Sequence, residues 1–491
     1  RKDTLSLHDA LPIFYLNHGS FGAVPRVVQA AYEDWQHRME RNPTEWMQRE
    51  VVGLLAEARG RLGAYIGSPA DDLVFFPNPT TAVNMVARSL RLAPGDEVLT
   101  TDHEYGAMWR TWRKVCAEAG ATYVRVAIPL PVTTADDFVD RVWSAVTPRT
   151  KVLFLDHMTS ATALTFPMTE LCRRARQAGI VTIVDGAHVP GHIPLDVSAV
   201  GCDVYTGALH KWLCAPKGCS FLYARPEAQA WLQPLVVSWG WESDHPSGSP
   251  FVDHHEWQGS RDNSASLSVG AALDFVEAHD WPAMQAEGHR LAIETRARID
   301  ALTGLSAISP DSTDWIGQMA SIRLPDGTDG PALQRRLFDQ HRIEVAMPNW
   351  QGTPFLRVSF GAYNKPFEAQ GQKFAWLSRD KEQVAKYEAD EYCGYPMSIG
   401  FYKSFFSGVL NMYGEAINNV RKDFPILIAV GSDDPVSNKA ALANKLYQFY
   451  LEKGFTNVTY KVYDGARHEI LNETNKDEVY ADFLAFLKKN G

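Results

Sequence analysis

Between residues 70 and 225 short apolar runs alternate with amphipathic stretches, and this alternation restricts the fold more than any other feature of the chain. DLVFFP precedes TTAVNMVARSL, DEVLTT precedes YGAMWRTWRKVCAEAG, TYVRVAI precedes ADDFVDRVWSAV, and KVLFLDH precedes MTELCRRARQAG. IVTIVDGAH, DVYTGAL and CSFLYA complete the series. Runs that are apolar throughout suit strands covered on both faces, and strands separated by helix-length stretches suit parallel pairing. The expectation is an α/β domain with a mostly parallel sheet between layers of helix. Such sheets bind ligands beyond the carboxyl ends of their strands. Polar residues stand at five of these ends: Asn78-Pro79-Thr80-Thr81, Asp102-His103-Glu104-Tyr105, Asp156-His157, Asp185 with His188, and His210-Lys211.

The first 364 residues hold five lysines against 27 arginines, yet ALHKWLCAPKG contains two of the five, Lys211 and Lys217. Arginine stays protonated, whereas lysine can lose its proton and attack a carbonyl, so Lys211 is expected to be a nucleophile. Asp185 suits a carboxylate that pairs with a protonated pyridine nitrogen, as a pyridoxal ring requires. PNPTTAV offers two hydroxyls and free N–H groups at a helix start, a good phosphate site, although an isolated Thr-Thr would read as a helix cap. His103 is placed to stack on the ring. His157 and His188 are placed to reach its phenolic oxygen, and His210 and Ser260 to assist the phosphate. Lys217, between Pro216 and Gly218, reads as structural.

Residues 14–364 resemble the class V, fold-type I pyridoxal-phosphate enzymes, nearest the isopenicillin N epimerase-like branch. The words that carry the resemblance are YLNHGSFGAVP, FFPNPTTAVN, TDHEYGAM, VDGAHVPGH, TGALHKWLCAPKG, EWQGSRDNSA and LRVSFGAYN. It implies pyridoxal 5'-phosphate as cofactor, with Lys211 forming its Schiff base and moving the substrate's α-proton. It further implies Asp185 on the ring nitrogen, His103 stacked on the ring, and Thr80, Thr81, His210 and Ser260 around the phosphate. Ser260 would come from the partner subunit of a homodimer. Arg357 would clamp a substrate carboxylate, with Asn17 of the YLNHGSFG word beside it. Cysteine desulfurases carry a serine three residues before the lysine, where this chain has Ala208, so one phosphate contact is in doubt. They also need a late cysteine nucleophile, and no cysteine lies between Cys219 and Cys393. Epimerisation, elimination and transamination remain open, as does the substrate. Trp239-Gly240-Trp241 and Trp350 read equally well as pocket lining or aromatic core.

Composition changes near residue 365. The last 127 residues hold 13 lysines and three arginines, the reverse of the earlier preference. Both residues serve exposed surfaces, so folding gives no reason for the switch; two coding sequences of different nucleotide bias, joined near SFGAYNKPFE, do. FEAQGQKFAWLSRDKEQVAKY, ILIAVGSDDPVS and YKVYDGARHEIL resemble the C-terminal part of a monoacylglycerol lipase-like α/β-hydrolase. That family implies Asp434 as triad acid and His468 as triad base. The triad serine sits on a GxSxG elbow, and the chain contains none, so these two residues are expected to be vestigial and hydrolase activity absent. The expected organisation is a leader at 1–13, artefactual or disordered, then a cofactor-binding large domain at 14–255. A truncated small α+β domain at 256–364 and a partial hydrolase-like segment at 365–491 follow.

Net charge is −10 with a pI near 5.9, which argues against nucleic acid or an anionic membrane as partner. No apolar run reaches membrane-spanning length. Six cysteines without a CxxC pair do not make a disulfide framework, and they read as reduced thiols of a cytoplasmic protein. No metal site is read from the sequence. The leading expectation is an enzyme acting at the α-carbon of an amino acid or peptide-like amine. A serine hydrolase and a non-functional chimera are the alternatives.

Overall fold

The computed structural model describes residues 14–361, 377–389, 415–437 and 439–490. The expected leader, the expected join at 364/365 and Cys393 lie outside them. The chain divides into two compact units, 1–362 and 363–491.

The first unit is built on a seven-stranded sheet. Its strands are β1 (Leu73–Phe76), β2 (Glu97–Thr101), β3 (Thr122–Val126), β4 (Thr150–Asp156), β5 (Val181–Asp185), β6 (Val204–Ala208) and β7 (Ser220–Ala224). Their order across the sheet is β1-β7-β6-β5-β4-β2-β3, with β7 antiparallel to both neighbours and the other pairs parallel. Every residue of β1, β2, β6 and β7 is buried, as expected of strands covered on two faces. β3 alternates toward solvent and forms an edge, where Thr122 and Arg125 stay exposed.

Helices α1 (Arg26–Arg41), α2 (Val51–Ile66), α3 (Pro79–Ser89), α4 (Gly106–Ala119), α5 (Ala135–Trp143) and α6 (Met168–Gln177) supply the covering layers. Val83 and Val86 of α3 pack with Trp112 of α4 and Phe154 of β4 on one face, while Leu55 and Leu62 of α2 and Leu171 of α6 join the larger core on the other. Each such fully buried side chain contributes about 1.5–3 kcal/mol of transfer free energy. Chain order reverses direction across the sheet between β2 and β4, so the crevice beyond their carboxyl ends is the expected ligand site.

A smaller antiparallel sheet follows in the same unit: β8 (Met319–Arg323), β9 (Asn349–Trp350) and β10 (Thr353–Ser359), with β10 central. Arg357 sits opposite Ser321 on β10. The second unit contains a parallel pair, β11 (Ile426–Gly431) and β12 (Val458–Tyr463), with helices Ala441–Glu452 and Lys476–Asn490.

Candidate active site

A cavity of about 260 Å³ opens where the strand order reverses. Successive strand ends each contribute to its wall. Asn78, Pro79 and Thr80 follow β1, and Tyr105 follows β2. Asp156 ends β4, with Met158 and Ser160 after it; Asp185 ends β5, with Ala187 and His188 after it; His210 and Lys211 follow β6. Gly19, Ser20 and Phe21 of the N-terminal segment and Arg357 of β10 close it.

Lys211 Nζ lies 3.0 Å from His188 Nε2. Burial, and the charge of Arg357, lower the amine to about 8, against the pull of Asp185 and Asp156. A substantial fraction is therefore neutral near physiological pH, as a nucleophilic lysine requires. Burial raises the Asp185 carboxyl to about 6, opposed by the Ala187 N–H donated to Oδ1 at 2.9 Å and by Lys211. An added cation at this carboxylate would stabilise its charged form further. His188 is held neutral by burial and by Lys211.

Arg357 has no carboxylate partner among the described residues. Its Nη1 donates to the Ser160 carbonyl at 2.6 Å and its Nη2 to Ser20 Oγ at 2.7 Å, while its Nε is buried without an acceptor among the described residues. Burial lowers it to about 10, so desolvation works against a charge that no carboxylate among the described residues neutralises. A carboxylate entering the cavity would relieve that cost.

The N-terminal segment reaches this site through a close backbone approach. Gly22 has φ +69, and a Cβ there would meet the His210 carbonyl oxygen at 2.1 Å. Lys217 Nζ donates to the Gly22 carbonyl at 2.9 Å, which gives the second lysine of ALHKWLCAPKG a structural task. Asn17 is outside the cavity wall. Its Oδ1 accepts from Ser20 Oγ at 2.6 Å, so it positions the hydroxyl that receives Arg357.

Several expected residues stand one or two positions from the side chain that lines the cavity. His103 does not line the cavity: its Nδ1 bonds Thr162 Oγ1 at 2.8 Å and its Nε2 the Ile128 carbonyl at 2.9 Å, with Trp350 4.3 Å from its ring. Tyr105 occupies the wall instead. His157 points its Nδ1 to Tyr205 Oη at 2.9 Å, away from the cavity, and Asp156 faces it. Thr80 lines the cavity, whereas Thr81 is spent on the helix cap, its N–H and hydroxyl both bonding Asn78 Oδ1. His210 lines the cavity with Nδ1 on the Cys219 carbonyl at 3.0 Å. Ser260 is exposed and outside this chain's cavity. Trp239 is 83% exposed, so it is not core. Ser20, Ser160 and Tyr105 had no assigned role.

In the second unit, His468 Nδ1 lies 3.0 Å from Asp434 Oδ1. The carboxylate raises the imidazole, and the imidazole with the Ser437 hydroxyl holds Asp434 low against its burial.

Two family models match the chain. The family model for aminotransferase class-V matches residues 14–370, and that for serine aminopeptidase S33, a hydrolase family, matches residues 330–475. Isopenicillin N epimerase of Amycolatopsis lactamdurans is 36% identical over 381 residues, covering 75% of this chain and 95% of that protein. A probable chloroplastic L-cysteine desulfhydrase of Arabidopsis thaliana is 28% identical, covering 72% of this chain and 79% of that one. Among solved structures, the cystine C–S lyase C-DES with cysteine persulfide superposes with a TM-score of 0.64 at 19% identity, over 77% of this chain and 97% of that one. The chain belongs to the aminotransferase class-V family. It is a pyridoxal-phosphate-dependent enzyme of fold type I carrying a C-terminal α/β-hydrolase-like region.

The cavity fits that cofactor. A lysine amine lowered by burial faces a buried carboxylate, and the N-terminus of an eleven-residue helix, α3, opens on the same space with Thr80.

Proposed function

We propose that residues 14–361 transfer a proton at the α-carbon of an amino acid or small peptide-like amine, with epimerisation as the outcome. The observation that carries this reading is one cavity that holds Lys211 Nζ, Asp185 and the unneutralised guanidinium of Arg357. When bound, the cofactor supplies an electron-withdrawing ring that acidifies the substrate's α-carbon. Asp185 Oδ2 would hold the ring nitrogen's proton, and Thr80 with His210 and the start of α3 would receive the phosphate. Arg357 Nε would take the substrate carboxylate, fixing the α-carbon beside Lys211. Lys211 Nζ would then remove the α-proton and keep it, and a second proton, drawn from solvent and delivered to the opposite face, would invert the centre.

Relatives named epimerase match nearly their whole length, which supports this branch. Desulfuration is disfavoured because the five cysteines among the described residues are buried and none lines the cavity. A homodimer that brings Ser260 of one subunit to the other's phosphate, in the cytoplasm, belongs to the same proposal. So do the boundaries at 255/256 and 364/365.

The test is the visible absorbance of the purified chain with added pyridoxal phosphate, beside Lys211→Ala. A band that borohydride fixes covalently to the wild type and not to the variant is expected. No fixable band in the wild type would overturn the assignment. The epimerase branch is checked separately, by solvent deuterium entering the α-position with loss of optical rotation across a panel of amino acids. Deuterium entry without inversion would remove epimerisation and keep Lys211 as base.

A further inference from the structure

Behind Asp185 lie two more carboxyl groups that the reaction outlined above does not use. Asp156 ends β4 directly opposite Asp185 at the end of β5, so the two strand ends place their carboxyls side by side. Glu104, in the turn after β2, is bonded to the same strand end: the Asp156 N–H donates to Glu104 Oε2 at 2.7 Å. That bond holds the Glu104 carboxylate against the backbone of Asp156. Two carboxylates cannot bond without a proton between them.

The donors around them say which group carries it. Glu104 accepts three hydrogen bonds, from the Thr101 N–H at 3.2 Å, the Thr101 hydroxyl at 2.7 Å and the Asp156 N–H. That is the surrounding of an ionised carboxylate. Asp156 accepts one, from the Tyr105 N–H at 3.0 Å to Oδ2, while its Oδ1 is buried with no donor among the described residues. Asp156 is 3% exposed, and three charges on Glu104, Asp156 and Asp185 together would be costly in so enclosed a place. Lys211, beyond the end of β6, attracts Asp185 and Asp156, and Tyr123 of β3 stands near Glu104 as a neutral phenol, held so by burial and by the charge of Glu104.

We infer that Glu104 and Asp156 share one proton, carried on Asp156 Oδ1 and donated to Glu104, and that this pair sets the charge beside Asp185. Asp156 acts as a positioning residue. Its neutral carboxyl holds the Tyr105 backbone at the cavity wall and keeps a third negative charge off the ring-nitrogen site. Burial and the charge of Glu104 raise Asp156, in the direction this requires; burial raises Glu104 as well, opposed by the hydrogen bonds it accepts from Thr101 and Asp156.

The first measurement needs no cofactor. Infrared spectra of the full chain across pH 6–8 should contain a protonated-carboxyl C=O stretch that Asp156→Asn removes and Asp185→Asn leaves. Absence of that stretch in the wild type, with circular dichroism showing a folded protein, overturns the inference. The second measurement rests on the cofactor reading. Asn is a stand-in for a neutral acid, so Asp156→Asn should leave the pH midpoint of the cofactor absorbance where it is. The double variant Glu104→Gln/Asp156→Asn removes a real charge and should lower the midpoint by about one pH unit. A similar fall in Asp156→Asn alone would show Asp156 ionised and overturn the proposal. A carboxyl stretch that behaves as expected in a protein that never develops cofactor absorbance would leave the pair standing and sink the cofactor reading, so the two failures are distinguishable.

Discussion

Each unit of this chain contains a buried acid beside a base, and they differ in what surrounds them. In the first unit Asp185 and Lys211 end adjacent strands, β5 and β6, and the ends of β1, β2 and β4, the N-terminal segment and β10 converge on the same space. In the second unit Asp434 and His468 make an ideal 3.0 Å contact, and the chain has no GxSxG serine for them to activate. An acid–base pair survives as local structure wherever its own hydrogen bonds are met. Chemistry needs further groups, brought in by elements distant in sequence. Arg357 illustrates the difference: it is 337 residues from Ser20, and their contact depends on the whole fold of the first unit.

The largest effect that sharpens this contrast is expected at Arg357. Arg357→Met should raise the KM of an amino-acid substrate about 30-fold or more, since a buried charge-assisted contact is worth roughly 2–5 kcal/mol. The cofactor absorbance should stay. An unchanged KM would remove Arg357 from substrate binding and would leave its lone Nε unexplained.

Next in size is Gly22→Ala. The added Cβ would meet backbone at 2.1 Å in a left-handed conformation, so the N-terminal segment must shift. Strain of about 1–3 kcal/mol is expected, seen as a lower Tm. Ser20 should then lose its register on Arg357, which a raised KM would report. A Tm equal to wild type would mean that the segment is not held against His210 and Lys211.

The Lys211 amine gives a pH test of the same site. Capture of free cofactor requires the neutral amine. Below the lowered value of about 8 the capture rate should rise roughly tenfold per pH unit, and above it level off. A rise continuing to the ordinary lysine range would mean that burial does not lower this amine.

The layout of this site was legible in the sequence to the level of the strand, and less so to the level of the residue. Five polar strand ends and their order could be read because near-continuous apolar runs mark β1, β4, β5 and β6 plainly. The differences lie within two residues of the expected positions. β4 is buried on both faces, so alternation could not say whether Asp156 or His157 faces the cavity. The turn after β2 reverses direction within Asp102–Tyr105, and nothing local told that Thr162 and Ile128 would claim His103 and leave Tyr105 in the wall. Thr81 is engaged by the helix cap because Asn78 Oδ1 accepts from both its N–H and its hydroxyl, a competition visible in Asn-Pro-Thr-Thr only once the helix start is fixed. Ser20 and Ser160 are short polar residues whose importance comes from Arg357 alone, and no pattern links them in sequence.

The smallest expected effect is at the second unit's pair, and it tests whether that pair is structure without chemistry. Asp434→Asn and His468→Ala should leave cofactor absorbance and substrate turnover of the first unit unchanged, and neither wild type nor variants should cleave esters. The pair should still titrate as a pair. His468 has a folded pKa above its unfolded value, so its contribution to stability is complete below the unfolded pKa and is lost as pH rises through the folded one. Asp434 has a folded pKa below its unfolded value, so its contribution is present above the unfolded pKa and is lost as pH falls through the folded one. Both hold only in the mildly acidic window between the two unfolded values, and because the imidazole is 39% exposed the gain there is small. Proton NMR of the His468 ring should give a midpoint above the usual histidine value that falls in Asp434→Asn. A midpoint that does not move would dissolve the pair, and ester cleavage that disappears in His468→Ala would end the contrast, because a nucleophile outside any GxSxG elbow would then be working with it.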